Sequence, residues 1–386
     1  MEKEVISQKQ AIIIVATFII GSSTILGSGA KAKQDVWLAI IIAMLMVSLI
    51  FFVYGRITKL FPGKNIYEIL DFLFGKVFGK ILSLTFLLYA FSLGALVVRD
   101  FTEFARIVSL PETPACIFAL SFIVIVIWAV RGGIELLGRF LAIFFPLFIL
   151  MIVAITVLSI PLFNFDNLKP FLYDGIKPVL IDSFNIFTFP YAEVVVFLCL
   201  MGSLRKGSSV YKVYYASLLI AGTTLIIIAV RSVLVLGIPN KMIQNFASFT
   251  STRLIRLGTF LQRIEASIAI IFMISGFAKT AVCLYTATKG LAHLFNIKVY
   301  HRLASSVGIL MALYSIIMHE NTAKMIEWTK KIYPYYAIPY QIIIPIIVWI
   351  IAEIKTRMSN KNNTTKVEDE GTGDTANTAL PESNNS

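Results

Sequence analysis

Charge is scarce in this chain. Only 15% of its 386 residues are Asp, Glu, Lys or Arg, 58% are hydrophobic, and the mean hydropathy is +0.82. An average soluble domain carries about 25% charged and about 45–50% apolar residues. One soluble core cannot hide roughly 220 apolar side chains, which argues against a soluble enzyme. The net charge of +12 does not indicate nucleic-acid binding, because a basic stripe needs a water-facing surface that this composition does not supply. Cysteine and histidine are also sparse, at three residues each. Cys116, Cys199 and Cys283 lie far apart in apolar runs and read as small buried hydrophobes, with no disulfide framework. His293, His301 and His319 show no metal-ligand spacing. No nucleophile elbow, zinc helix or P-loop occurs, so neither catalysis nor a cofactor is expected. The stretch GSSTILGSG (residues 21–29) resembles a phosphate loop but lacks the following Lys-Ser/Thr and falls inside an apolar run.

What is present is a series of long apolar runs. Crossing a hydrocarbon layer of about 30 Å takes about 20 helical residues. Ten runs fit: 10–30, 36–54, 81–98, 114–130, 140–161, 182–203, 213–236, 264–287, 303–319 and 333–353. The expected fold is therefore an all-α polytopic membrane protein. The first run has 21 uncharged residues and no cleavage signal after it, so it reads as a retained span. Nineteen Lys and Arg fall on the side of the N-terminus and thirteen on the other, which favours both termini inside. Residues 356–386 are polar and poor in aromatics, and read as a disordered cytoplasmic tail. Residues 65–80 place Ile66, Ile69, Leu70, Leu73 and Val77 at helical spacing. They read as an amphipathic interfacial helix or as an extension of the third span.

Ten spans divide as five plus five: 1–161, a connecting loop at 162–181, and 182–355. The first span of each half is interrupted. Span 1 collects Gly21, Ser22, Ser23, Thr24, Gly27, Ser28 and Gly29; span 6 carries Phe189, Pro190, Tyr191 and Glu193. Glycine and proline weaken a helix, and backbone groups freed in lipid must be covered by protein or a water-filled cavity. Interruptions at matching places in two halves point to a midplane binding site. The alternative is that the small residues permit close packing and that the proline is a plain kink.

Ionisable residues at depth are costly and face cavities or partners. Glu193 can bind a ligand amine, carry a proton or pair structurally. Lys279, two turns before the end of span 8, either snorkels or stands as a fixed cation beside the first interruption. Arg231 is expected to snorkel, and Arg99, Asp100 and Glu103 to be interfacial and solvated. Tyr89, beside Ser92 in span 3, is a ligand contact or an ordinary bundle residue.

Several segments carry a family resemblance: ISQKQ at 6–10, FPGKNIYEIL at 61–70, FGKVFGK at 74–80, FPYAE at 189–193, VLGIP at 235–239, FLQRIE at 260–265 and GLAHLF at 290–295. Together they resemble the spore germination permease family, the B subunits of nutrient germinant receptors, within the amino acid–polyamine–organocation superfamily. The resemblance implies a LeuT/APC-like five-plus-five inverted repeat in the endospore inner membrane. It implies partnership with an A-type membrane subunit and a C-type lipoprotein subunit, and a small nutrient, commonly an amino acid, as ligand. The superfamily's site maps onto Gly21–Thr24 and Gly27, and onto Phe189–Glu193 (Phe189, Pro190, Tyr191 and Glu193), with Tyr89 and Lys279 contributed by spans 3 and 8. Glu193 and Lys279 are then the candidates for coupling or gating. The loop 238–262 would cap the outer vestibule as a short helix. A proton-coupled amino acid transporter, a scaffold and an ion-path subunit remain as alternatives.

Overall fold

The structure, a computed structural model, describes residues 4–26, 29–108, 112–244, 246–255 and 265–373; side chains at 25, 26, 265 and 359–373 are left aside. Gly27 and Ser28, most of FLQRIE, and residues 374–386 lie outside the described residues.

The described chain is almost wholly helical. Helix α1 (Gln8–Ile20) starts at a reciprocal cap. The Ser7 hydroxyl accepts the Gln10 N–H, and the Gln10 side chain accepts the Ser7 N–H. After a break at Gly21 the chain resumes as α2 (Ser23–Leu26). Helix α3 (Val36–Leu60) is followed by α4 (Ile66–Val108), which bends at Gly75. There φ is +78°, a backbone region that favours glycine. The bend sets residues 66–74 apart from the long span as a short helix of their own. It buries Ile66, Ile69, Leu70 and Leu73, while Val77 beyond the bend is exposed.

Next come α5 (Ala115–Arg131) and α6 (Ile134–Leu158). A second interrupted helix consists of α7 (Ile176–Ile186), a π turn at Phe187–Tyr191, a 3-10 turn at Ala192–Val196, and α8 (Phe197–Leu200). Helix α9 (Val210–Ile243) precedes α10 (Ala247–Arg253), a short helix against α2, α9 and α11 (Glu265–Leu294). It falls where a short capping helix is expected. The chain ends with α12 (Ala304–Ile317), α13 (Thr322–Lys331), α14 (Tyr333–Ile338), a π turn at Pro339–Ile343, and α15 (Ile344–Gly373). Helical backbone thus continues past the 355 boundary expected from composition.

Among the described residues seven helical segments are long and apolar enough to cross a membrane, and the chain is a multi-pass membrane protein. Three further apolar helices, α1, α5 and α12, are shorter. At 1.5 Å per residue the 13 residues of α1 span about 20 Å, which falls short of a bilayer core because the helix stops at its break.

Two faces of the bundle are defined by its connections. The N-terminal segment is strapped across the first. The Ile6 N–H donates to the Ser203 carbonyl and the Arg205 N–H to the Ile6 carbonyl, both at 2.9 Å. Glu4 accepts from Tyr285 at 2.9 Å and from Tyr300, and pairs with Lys289 at 3.5 Å. Burial, then the adjacent Glu4 carboxylate, push the Tyr300 phenol upward. This face is called proximal. On the opposite, distal face Asp182 accepts the Lys31 and Ala32 N–H groups, each at 2.6 Å, tying the exit of α2 to α7.

Candidate functional site

Breaking a helix inside a bundle leaves carbonyls that must find donors. At the first break the Gly21 carbonyl is met by the Thr24 hydroxyl at 2.9 Å and the Ser275 hydroxyl at 3.3 Å. At the second, Gln341 Nε2 donates to the Thr188 carbonyl at 2.9 Å, and the Tyr54 hydroxyl reaches the Ala192 carbonyl at 3.3 Å. Phe189 is the non-helical residue of that break, at φ −136° and ψ 113°.

Lys279 stands between the two breaks. It and Glu193 are fully buried, and Lys279 Nζ lies 2.5 Å from Glu193 Oε2. The ammonium also sits over the rings of Phe18 (5.2 Å) and Phe189 (4.7 Å), one from each interrupted helix. Gly21 makes this approach possible. A Cβ there would fall 2.9 Å from Lys279 Cδ and 2.7 Å from the Phe18 carbonyl oxygen, which is backbone and cannot swing away. Lys279 therefore does not snorkel; its stem follows α11 inward because a carboxylate is waiting on the broken segment.

The other oxygen of Glu193 accepts the Tyr333 hydroxyl. An ionised carboxylate only accepts, so Tyr333 has spent its proton and its oxygen must accept from Tyr89, 3.3 Å away. Tyr89 in turn accepts from Gln341 Nε2 at 2.9 Å. A directed chain of hydrogen bonds therefore runs Gln341, Tyr89, Tyr333, Glu193, and Lys279 closes its far end. Tyr89 is fully buried and part of this network. Among the described residues the buried Tyr191 and Ser23 hydroxyls meet no hydrogen-bond partner. Ser22 faces the Asp100 carboxyl of α4.

Tyr333 and Gln341 were not among the sequence candidates. A signal for Gln341 exists: Pro339 precedes it by two residues in an apolar span, much as Pro190 precedes Glu193 by three. Tyr333 has no such signal, because only the fold brings it to Glu193.

Three expectations are corrected. Arg231 does not snorkel: it is 1% exposed and donates to Ser248 of α10 at 2.8 Å. Arg99, Asp100 and Glu103 are not solvated; all three are buried. Arg99 pairs with Glu103 at 2.9 Å and donates to the Ile316 carbonyl at 3.0 Å, and Glu103 also accepts from Thr322. Cys116, expected to be buried, is exposed, while Cys199 and Cys283 are buried. Each error came from reading depth along the chain without knowing which way the helix face is turned. Where the distal end of α4 meets the start of α13, an open cleft of about 390 Å³ is lined by Arg99, Glu103, Arg106, Ile107 and residues 320–322.

The family model for spore germination proteins matches residues 5–323. The chain belongs to the spore germination permease family. Spore germination protein KB of Bacillus subtilis (strain 168) is 28% identical over 366 residues, covering 94% of this permease and 98% of the relative. Spore germination protein A2 of the same organism is 24% identical over 375 residues, covering 92% and 100%. Among solved structures, MhsT in complex with L-phenylalanine superimposes with a TM-score of 0.63 at 13% identity, covering 92% of this chain and 99% of that one. A nucleobase-cation-symport-1 family transporter with bound bromovinylhydantoin gives 0.57 at 13% identity, covering 85% and 75%. The permease thus has a transporter-like fold.

Proposed function

We propose that this permease is the integral-membrane B subunit of a spore nutrient germinant receptor. In this reading ten spans form a five-plus-five inverted repeat, with both termini cytoplasmic in the endospore inner membrane. A small nutrient, an amino acid, binds between the interrupted helices at Gly21–Thr24 and Phe189–Glu193 and acts by binding rather than catalysis. An A-type membrane subunit and a C-type lipoprotein complete the receptor.

The observation that carries the reading is the Lys279–Glu193 pair spanning the two breaks. Half-helix ends and freed carbonyls suit a zwitterion, and Glu193 is the acceptor an ammonium group would seek. A ligand amine competing with Lys279 for Glu193 would loosen the pair. Tyr333 and Tyr89 would pass that change to α14 and α4. The ligand shifts the population to the extent that it binds the loosened state better.

A proton-coupled amino acid transporter is the second reading, favoured by the likeness to MhsT. A scaffold with a vestigial site and an ion-path subunit are further readings. The test is a germination screen of a deletion strain against single amino acids, sugars and nucleosides, with wild-type, Glu193→Ala and Gly21→Leu genes restored at equal protein levels. The receptor reading expects the response to one nutrient to be lost with the deletion and not recovered by either variant. Normal responses from both variants would refute the binding site. Sustained concentrative uptake of a labelled amino acid by reconstituted protein would favour the transporter.

A further inference from the structure

Away from the helix breaks, two like charges meet on the proximal face. The short helix at residues 66–74 lies there, with Asp71 reaching His293 at the end of α11. Its Phe72 is half-exposed, and two ammonium groups converge on the ring. Lys64 Nζ, from just before the helix, and Lys355 Nζ, from α15, each lie 4.5 Å from the ring centroid. The two cations therefore stand no more than twice that distance apart. Lys355 also donates to the Phe72 carbonyl at 2.6 Å, near the negative end of the short helix. Phe61 packs edge-on against Phe72 and holds the ring in place.

Like charges gathered on one ring repel and call for a counter-charge. The carboxylates of the same elements are committed elsewhere. Glu68 accepts the Asn65 N–H at 3.0 Å and caps the short helix. Asp71 is held by His293 at 2.8 Å. Glu353, two residues before Lys355, holds Arg56 of α3 by both of its oxygens. Among the described residues neither Lys64 nor Lys355 is paired with a carboxylate. Both lysines are exposed, so an anion from outside can reach them.

What lies beside the pair identifies the anion. On α15, Ile347, Ile350 and Ile354 follow at spacings of three and four, and all are exposed. On α4 beyond the bend, Val77, Ile81 and Leu84 follow at four and three, and these are exposed as well. The two helices pack on each other. Outward apolar faces on a multi-pass membrane protein meet acyl chains. Phe72 and its two lysines lie where those faces give way to charge, at Lys76 on α4 and Arg357 on α15. A small soluble anion would use the ammonium groups alone. A phospholipid uses them for its phosphate and the apolar faces for its chains. A zwitterionic headgroup brings its own cation, which the two ammonium groups repel.

We propose that Lys64, Phe72 and Lys355 form a binding site for the headgroup of an anionic phospholipid, with its acyl chains along α4 and α15. The bound lipid ties the short helix to the last span from outside the bundle. The site is independent of the helix breaks and of what they bind.

The test uses the purified full-length permease in neutral detergent, with bound lipid counted by native mass spectrometry. Phosphatidylglycerol is compared with phosphatidylcholine of the same chains and with glycerol phosphate, which has the phosphate without the chains. Phosphatidylglycerol should bind more tightly than phosphatidylcholine by about tenfold or more, and glycerol phosphate should not displace it. A lysine at a membrane surface is worth about fivefold in binding, so Lys64→Gln and Lys355→Gln should each weaken phosphatidylglycerol by that factor and the double variant by more. Lys64→Arg/Lys355→Arg, which keeps both charges, should bind as wild type does. Lys330→Gln/Lys331→Gln removes the same charge from α13 on the other side of the bundle and should leave binding unchanged. Melting temperatures without added lipid show that each variant is folded. Four outcomes would overturn the proposal: phosphatidylcholine binds as tightly; glycerol phosphate displaces the lipid at equal concentration; the folded Lys64→Gln/Lys355→Gln variant binds as wild type does; or the α13 variant loses as much, which would make net charge rather than this site the cause.

Discussion

Two buried ion pairs in this permease look alike in composition and differ in what they join. Lys279–Glu193 links residues 86 apart in sequence, on α11 and the broken segment after α7. Arg99–Glu103 links successive turns of α4. If the interrupted helices shift, the first pair must stretch or break, because its members ride on different elements. The second pair travels with its own helix whatever the bundle does. The first is thus placed to report relative movement. The second is a fixed, charged wall beside a cleft. Their surroundings agree with this division: the inner pair is saturated by Tyr333 and two aromatic rings, while the distal pair has donors left over.

The largest expected effect tests whether the inner pair is as dry as its burial indicates. Removing one member of a buried pair strands the other, which costs about 3–5 kcal/mol. Lys279→Met should therefore lower the melting temperature of the purified protein sharply, and the double variant Lys279→Met/Glu193→Gln should recover most of the loss. A single variant as stable as wild type would show that water reaches Glu193. Tyr333→Phe comes next: it removes a hydrogen bond to a charged acceptor, worth about 1.5–3 kcal/mol, and should lower the melting temperature accordingly. Little change there would mean that Tyr89 replaces Tyr333 on Glu193. Gly21→Ala forces a methyl group against the Phe18 carbonyl and the Lys279 stem, and overpacking of this kind costs about 1–3 kcal/mol. In a Lys279→Ala background, which lacks the Cδ that the methyl group meets, the same substitution should cost less, as far as the backbone contact permits. The smallest effect is at the distal wall. Glu103→Gln keeps the shape, leaves an amide oxygen to accept from Arg99 and leaves Arg99 its two backbone acceptors, so the loss should fall below that of a stranded buried charge, at about 1.5 kcal/mol. A loss as large as that of Lys279→Met would erase the contrast between the pairs.

The sequence showed where the helices break and which charges lie deep, because Gly, Ser and Pro act locally and a lysine in an apolar run stands out. Gly21, Pro190, Glu193 and Lys279 all fall at the centre of the structure for that reason. Rotation of a helix about its axis is not local. Arg231 and Arg99 sit near span ends, and position alone suggests that they reach for water; the bundle turns both inward. Tyr333 was illegible as a site residue because its role comes from packing the last span against the second break, whereas Gln341 had the nearby Pro339 to mark it. The 390 Å³ cleft is likewise a product of two elements, α4 and α13, that are more than two hundred residues apart.

The strap across the proximal face has a consequence for how that face opens. One carboxylate, Glu4, is shared by Tyr285, Tyr300 and Lys289, which belong to α11 and to the turn that follows it, while Ile6 is stitched to the chain after α8. These ties meet within three residues, like cords drawn through one knot. Slackening one of them relieves little, since the others still hold the segment down. The segment is therefore held cooperatively: it stays down under small displacements, and freeing it requires both the Glu4 ties and the Ile6 backbone bonds to part.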